Sequence, residues 1–217
     1  MAVDPQDFRT ETGRYPSPRL TSLMQDCACP ACGHQVAVRL FDTRNQPLTT
    51  VCLPDSAAEA EQLPRLPLAF VRCVDCGHIY NSLFDYSQVP YARQPWLMFN
   101  NGATWARHLE QVRDVLLQAI TPGCTVVEIG CAEGQLLRLL AAARPEARYV
   151  GFDPGSPSPG IHGSVELRRS LFDPARDLGD LRPTVMICRH VLEHLQSPAG
   201  FLQQLAFAVS WEDLDTR

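Results

Sequence analysis

The sequence predicts an α/β fold in which an open, largely parallel sheet follows a small cysteine-rich β module. Short apolar runs at Thr125–Ile129, Arg148–Phe152, Val165–Arg168 and Val185–Cys188 are typical of buried strands. A helical pattern lies between the first two of them and another follows the last. Strands that alternate with helices favour parallel pairing, because each crossover returns the chain to the same edge of the sheet. Two C-x-x-C pairs precede this region and indicate the separate β module.

The composition excludes several classes of protein. All 19 basic residues among the 217 are arginine, so no P-loop, Schiff-base or general-base lysine is available. The net charge is −5 without a basic stripe, which argues against a nucleic-acid partner. No apolar run is long enough to cross a bilayer and no secretory signal is present, so we expect a cytoplasmic protein without a membrane partner. The nine cysteines, an odd number, then indicate thiols or metal ligands rather than disulfides.

Four segments can be distinguished along the chain. They are a flexible tail (1–22), a zinc-binding module (23–85), an aromatic-rich connector (86–104) and a partial α/β domain (105–217). The module contains β-like runs at Val36–Phe41 and Leu68–Arg72.

Apolar residues in the last segment also predict its helices. From Trp105 to Ile120 they recur at helical spacing, and Thr121-Pro122-Gly123 ends that helix. Further helices are predicted at Glu133–Ala143 and Pro198–Val209.

Two knuckles, Cys29-Pro-Ala-Cys32-Gly and Cys73-Val-Asp-Cys76-Gly, predict one zinc site. The spacing lets both cysteines of a knuckle reach one ion, and the glycine that follows permits the tight turn around it. Four thiolates form a closed tetrahedral shell, which is typical of a structural rather than a catalytic metal. The alternative is a set of unrelated buried thiols. The lower-ranked ligands are Cys27, His34 and His78, and the predicted core cysteines are Cys52, Cys124, Cys131 and Cys188.

A strand, a glycine turn and the start of a helix follow one another from Val126 to Gly134. In open α/β sheets, ligands bind at the carboxyl ends of the strands, where such a turn lets the ligand approach the backbone. The dinucleotide pattern G-x-G-x-x-G is not met, because Ala132 and Gln135 occupy its second and third glycine positions. The next strand ends at Asp153, whose carboxylate can accept both hydroxyls of a ribose. The alternative is that Asp153 is only a surface turn residue.

The fourth strand is followed by Arg189-His190-Val-Leu-Glu193-His194. H-x-x-E-H is the pattern of inverted zinc proteases, in which both histidines lie on one helix. We reject that function because the segment follows a strand and the required downstream ligand has little chain left to supply it. At the end of a strand, His194 suits a general base, and Glu193 can orient it or bind substrate. The alternative is that both residues only brace the loop.

Together these features resemble class I methyltransferases that depend on S-adenosylmethionine (SAM). The stretch from Glu128 to Gly134 is similar to their motif I, E-x-G-x-G-x-G, with Ala132 in place of the middle glycine. The resemblance implies a Rossmann-like sheet, here incomplete with about four parallel strands, and SAM as cofactor. Phe172-Asp173 stands where the family places an acid against the adenine amino group. The cofactor-binding residues that follow are Glu128, Gly130, Gly134, Asp153, Phe172, Asp173 and Arg189.

The knuckles, Phe84-Asp85, Tyr91 and the histidine segment resemble, in particular, methyltransferases that carry a zinc module. This group includes the sugar C-methyltransferases of deoxysugar biosynthesis. The resemblance implies a small-molecule acceptor, carbon methylation of a keto-sugar or related metabolite, and His194 and Glu193 as the catalytic residues. One departure is Val191, which stands where a family tyrosine is aligned.

The C-terminus is a second departure from the family pattern. A complete class I sheet continues for several strands after the fourth, whereas this sequence ends about one helix later. We therefore expect a C-terminally truncated or frame-shifted product or an expressed fragment, and a second chain that supplies the missing half is less favoured. The competing hypothesis for function is a non-catalytic zinc-binding or interaction protein, or an inactive fragment. The acceptor and the oligomeric state are not predicted.

Overall fold

The structure is a computed structural model that describes residues 23–48, 54, 56–88 and 102–216. Its contacts group the chain into two compact units. The cysteine unit comprises Met1–Pro47 and Pro64–Phe84, and the α/β unit comprises Leu48–Leu63 and Asp85–Arg217. The predicted tail 1–22, Cys52, Tyr91 and residues 89–101 of the connector lie outside the described residues.

The cysteine unit contains a four-stranded antiparallel sheet in the order β1-β2-β3-β4. Its strands are β1 (Met24–Asp26), β2 (Val36–Pro47), β3 (Arg65–Cys73) and β4 (Ile79–Asn81). The two predicted β-like runs lie within β2 and β3, where Ala37 and Val71 are fully buried. The strands β1 and β4 were not predicted, because three residues are too few to show an alternating pattern.

The α/β unit contains a five-stranded sheet in the order β7-β8-β6-β5-β9. Its strands are β5 (Thr125–Ile129), β6 (Arg148–Phe152), β7 (Gly160–His162), β8 (Val165–Arg168) and β9 (Val185–Cys188). All except β7 pair in parallel, with the bounds that the apolar runs predict. The prediction of an α/β fold with a largely parallel sheet is therefore confirmed.

The strand β7 pairs antiparallel with β8 and was not predicted. The two strands form a hairpin around Gly163, whose φ of 65° only glycine adopts without strain. All three residues of β7 are exposed, so the sequence carries no apolar signal for this strand.

Helices cover both faces of the five-stranded sheet. They are α2 (Ala103–Leu116), α3 (Gln135–Ala143), α4 (Pro174–Leu181) and α5 (Pro198–Trp211), and a short helix α1 (Ala57–Glu61) precedes them. Residues of α2 and α3 pack with Val126 on one face, and residues of α4 and α5 pack with Val127 on the other. Alternate residues of β5 thus enter two separate cores, which explains the continuous apolar runs. No helix in the described part of the chain has the length and apolar character needed to cross a membrane.

The helix α4 was not predicted, and α5 extends two residues beyond the predicted Val209, to Trp211. The other two predicted helices differ from their bounds for local reasons. The helix α2 ends at Leu116 rather than near Ile120, since the backbone tightens there into turns with hydrogen bonds such as Ala119 N–H to the Leu116 carbonyl. The helix α3 begins at Gln135 because Gly134 has a left-handed φ of 74°.

Candidate functional sites

The turn after β5 is built from three left-handed residues. Gly130, Ala132 and Gly134 have φ values of 76°, 48° and 74°. A Cβ on Gly130 would collide with the side chain of Val191, and one on Gly134 would lie 2.8 Å from Leu167 Cδ2. Glycine is therefore favoured at positions 130 and 134, where a side chain would be strained by the left-handed backbone and would also displace Val191 or Leu167. Ala132 carries only the backbone cost, roughly 1 kcal/mol. The N–H groups of Gly130 and Cys131 donate to the Phe152 carbonyl, so the turn is bound to the end of β6. It lies at the carboxyl end of β5, where ligands bind in open α/β sheets.

Asp153 connects the turn after β5 with the turn after β6. Its Oδ2 accepts a hydrogen bond from Ala132 N–H at 2.9 Å, and its Oδ1 accepts one from Gly155 N–H at 2.7 Å. A carboxylate has about four lone-pair sites, so each oxygen can still accept a further donor. The carboxylate is thus held at the carboxyl ends of two adjacent strands with capacity for a ligand hydroxyl.

Glu128 and Arg189 bring unpaired polar atoms to the ends of β5 and β9. Glu128 Oε2 and Arg189 Nη2 are buried and have no hydrogen-bond partner among the described residues. Burial raises the pKa of Glu128 to about 8, although the charge of Arg189 opposes the shift and that of Asp153 adds to it. Buried atoms without a partner are costly, so these two indicate a polar ligand site.

Phe172 and Asp173 lie at the start of α4. Phe172 is buried, and its ring meets that of Phe152 edge to face with centroids 5.1 Å apart. Asp173 is exposed and caps the helix, because its side chain accepts a hydrogen bond from Ala175 N–H at 3.1 Å. The helix cap accounts for one oxygen of Asp173, and its role toward adenine stays a prediction.

The histidine segment forms a short 3₁₀ turn, Leu192–His194, after β9. Glu193 Oε1 lies 3.8 Å from Nδ1 of His190, and both side chains are exposed. The carbonyl of His194 accepts a hydrogen bond from the Tyr86 hydroxyl at 3.0 Å. His190 precedes the turn with a left-handed φ of 55°, so the two histidines do not share a helix as an inverted zinc protease requires.

Trp105 was predicted only as an apolar residue of a helix, yet it contacts the candidate site. Its ring lies under the Arg189 guanidinium at 5.9 Å and 6.4 Å from the His190 ring. Its Nε1–H donates to Gln135 Oε1 at 3.5 Å, a long bond to the first residue of α3. Because these contacts join α2, α3 and the end of β9, no local sequence pattern could have shown them.

The cysteine unit brings the four predicted zinc ligands together. The sulfur atoms of Cys29, Cys32, Cys73 and Cys76 all lie within 4.8 Å of one another. The Cys29–Cys76 and Cys32–Cys73 pairs have Sγ–Sγ distances of 3.7 and 3.6 Å. A tetrahedral ion with Zn–S bonds of about 2.3 Å needs sulfurs about 3.8 Å apart. The cluster therefore has the dimensions of a metal site.

Backbone geometry shapes this cluster. Gly33 and Gly77 follow the knuckles with φ values of 76° and 77°, and their N–H groups donate to the carbonyls of Cys29 and Cys73. Burial disfavours the thiolate of Cys73, but the amides of Cys76 and Asp75 and the neighbouring thiols outweigh it and lower its pKa to about 6. A thiol that ionises near neutral pH is ready to bind a cation.

The other predicted cysteines and alternative ligands have separate surroundings. Cys27 Sγ lies 3.2 Å from the Tyr80 hydroxyl, and the His78 ring stacks on that tyrosine at 5.6 Å. Among the described residues, the group of side chains close enough together to hold a metal ion contains only the four knuckle cysteines. Cys124 and Cys131 are buried and Cys188 is half-buried, as expected for core residues.

A model of the family described as a methyltransferase domain matches residues 103–211, which is half of the chain. The chain belongs to this methyltransferase domain family. No curated protein matches the sequence. Among solved structures, it is similar to the plantazolicin methyltransferase BpumL in complex with triazolic desmethylPZN analog and SAH, at 19% identity and a TM-score of 0.34. That match covers 49% of this chain and 43% of the other, so the chain spans less than half of that relative.

The methyltransferase domain contains every residue predicted to bind the cofactor or to act in catalysis. The prediction of a methyltransferase is confirmed at the level of the domain family. The four-cysteine cluster lies outside the matched range. The individual roles of Asp153, His194 and Glu193, the sugar C-methyltransferase subtype and the identity of the metal stay predictions.

Proposed function

We propose that this chain is a SAM-dependent methyltransferase that acts on a small-molecule acceptor, with a Rossmann-like class I sheet. The observation that carries the proposal is the turn at residues 130–134, whose Ala132 amide is held by the carboxylate of Asp153 at 2.9 Å. This arrangement joins a glycine-containing turn to an acid that directly follows the adjacent strand, which is a combination that binds nucleotides in α/β sheets.

The residues around the turn fit such a cofactor. Gly130 and Gly134 carry no side chain at the two ends of the turn, and Asp153 would accept the ribose hydroxyls. Phe172 offers an apolar ring edge beside the strand ends, and the predicted contact of Asp173 with adenine would use the carboxylate oxygen that does not cap α4. The unpaired atoms of Glu128 and Arg189 supply polar partners for the remaining part of the molecule.

The finer part of the proposal concerns the acceptor. When bound, SAM supplies an electrophilic methyl group on a sulfonium. His194, in the loop after β9, would take a proton from the carbon next to the ketone of a keto-sugar or related metabolite. Glu193 would orient a histidine or bind the acceptor, and its contact with His190 at 3.8 Å supports a shared polar cluster. The Tyr86 hydroxyl would hold the backbone of His194 in place.

The four knuckle cysteines would hold one zinc ion. Their sulfur separations of 3.6 and 3.7 Å support a closed tetrahedral shell, and a shell of four thiolates leaves no position for a substrate. The zinc would therefore stabilise the cysteine unit and take no part in methyl transfer.

Cofactor binding tests the proposal. Isothermal titration with S-adenosylhomocysteine (SAH) should give heat with the wild type and at least about 100-fold weaker binding with Asp153→Ala, because two charge-assisted hydrogen bonds to the ribose are lost. Asp180→Ala removes an exposed carboxylate from α4 and should bind as the wild type does.

Two results would contradict the proposal. Equal affinity of Asp153→Ala and the wild type would show that this carboxylate does not bind the ribose. If the folded wild type gave no heat, the competing hypothesis of a non-catalytic zinc-binding or interaction protein would replace the enzyme.

A further inference from the structure

The guanidinium of Arg189, at the end of β9, has no specific partner on the cofactor in the proposed function. Arg189 directly follows β9, and its Nη2 is buried without a hydrogen-bond partner in the described part of the chain. A guanidinium has five donors in a fixed fork, and leaving one of them buried and unpaired is costly. Such a site is relieved when a planar anion such as a carboxylate binds to it.

The neighbouring strand supplies a buried carboxyl group beside this cation. In the register of β5 and β9, Glu128 pairs with Ile187 and Ile129 with Cys188. Glu128 is therefore the last residue but one of β5, and Arg189 directly follows the adjacent strand β9. Glu128 Oε2 is also buried without a partner, and the charge of Arg189 acts on this carboxyl. An unpaired guanidinium nitrogen and an unpaired carboxyl oxygen on adjacent strands fit a ligand that carries both a carboxylate and an amino group, as an α-amino acid does, better than a simple anion.

The ring of Trp105 also contacts the guanidinium of Arg189. The Cζ of Arg189 lies 5.9 Å from the centroid of the indole ring, within the range of a cation–π contact. The indole is half-buried, and its Nε1–H is directed to Gln135 at the start of α3. The ring thus limits the positions that the long Arg189 side chain can adopt.

We infer that Arg189 binds the α-carboxylate of the cofactor's amino-acid end and that Trp105 is the positioning residue that holds its guanidinium. The assignment rests on the proposed function, since it requires a cofactor with an amino-acid end. The amino-acid end of the cofactor then lies at the end of β9, and Trp105 joins the residues of the cofactor site, a role that the sequence did not predict.

Two ligands separate this assignment from the proposed function. SAH carries the amino-acid end, whereas 5′-methylthioadenosine has the same nucleoside and sulfur without it. In Arg189→Met, SAH binding should weaken by roughly 10- to 100-fold, the range for one lost charge-assisted contact, while binding of 5′-methylthioadenosine stays within about twofold. Retained binding of the second ligand also shows that the variant is folded. Arg138→Met, which removes an exposed arginine from α3, should bind both ligands as the wild type does.

The positioning role of Trp105 has its own variants. Trp105→Leu should weaken SAH by roughly fivefold and leave 5′-methylthioadenosine unchanged, whereas Trp105→Phe keeps an aromatic face and should restore most of the affinity.

Different results would contradict the role of Arg189, the role of Trp105 and the proposed function. Unchanged SAH binding in Arg189→Met, or equal weakening of both ligands, would overturn the carboxylate assignment and leave the proposed function standing. Equal SAH affinity in Trp105→Leu and the wild type would overturn the positioning role. Failure of the wild type to bind either ligand would overturn the proposed function and this inference with it.

Discussion

Replacing Glu128 with glutamine removes a buried acid whose ionisation should make stability depend on pH. Burial raises the pKa of this carboxyl from 4.5 to about 8. In the unfolded chain the group ionises near pH 4.5, whereas in the folded protein it keeps its proton until about pH 8. The unfolded state therefore loses its proton first, and the stability of the wild type falls as the pH rises through this window. In Glu128→Gln the side chain at position 128 does not ionise, so this variant does not lose stability for that reason as the pH rises.

The size of this loss of unfolding free energy depends on how much of the interval between the two pKa values the experiment covers. Each unit of pKa difference is worth about 1.4 kcal/mol. Between about pH 5.5 and 8.5 the wild type should lose on the order of 3 kcal/mol of unfolding free energy relative to Glu128→Gln. Urea denaturation at the two pH values measures this difference. Tryptophan fluorescence is a suitable signal because Trp105 and Trp211 both belong to the α/β unit.

A second glutamine variant provides the control. Hydrogen bonds from Arg168 and Arg148 hold the pKa of Glu166 below its ordinary range, so this acid stays ionised throughout the interval. Glu166→Gln should therefore differ from the wild type by the same amount at both pH values. If Glu128→Gln showed an equally constant difference, the reasoning about the buried carboxyl would be refuted.

The remaining predictions concern the metal and the base. Metal analysis should find about one zinc ion per chain. Removing the zinc with a chelator should unfold the cysteine unit, because few apolar residues are buried there. Folded protein with much less than one zinc ion per chain would contradict this prediction. His194→Ala should lower methyl transfer to a keto-sugar acceptor by about 100-fold or more, measured by mass spectrometry of the product. His162→Ala removes an exposed histidine of β7 and should leave the rate unchanged; equal rates in both variants would argue against His194 as base.

Much of the α/β unit could be predicted from sequence because its signals are local. The four parallel strands are buried on both faces, so each one is a continuous apolar run with clear ends. The exposed strand β7 carries no such signal and was missed. The knuckles could be recognised because the C-x-x-C spacing is local to the sequence, and the four sulfur atoms do come together.

The candidate site was predictable only in part. Gly130 and Asp153 directly follow strands and Gly134 directly precedes a helix, and such positions can be located from sequence. The pairing of Glu193 with His190 depends on the left-handed backbone of His190, which no pattern of residue types indicates for a histidine.

What the sequence by itself determined is therefore the set of elements and the chemistry at their ends: four buried strands, a glycine turn, an acid twenty-odd residues later and two cysteine knuckles. Only the tertiary structure decided which ends meet. The strand order β8-β6-β5-β9 places Glu128 beside Arg189, and packing of α2 brings Trp105 onto that arginine. These neighbours are distant along the chain, and their contact depends on how sheet and helices pack rather than on any local preference.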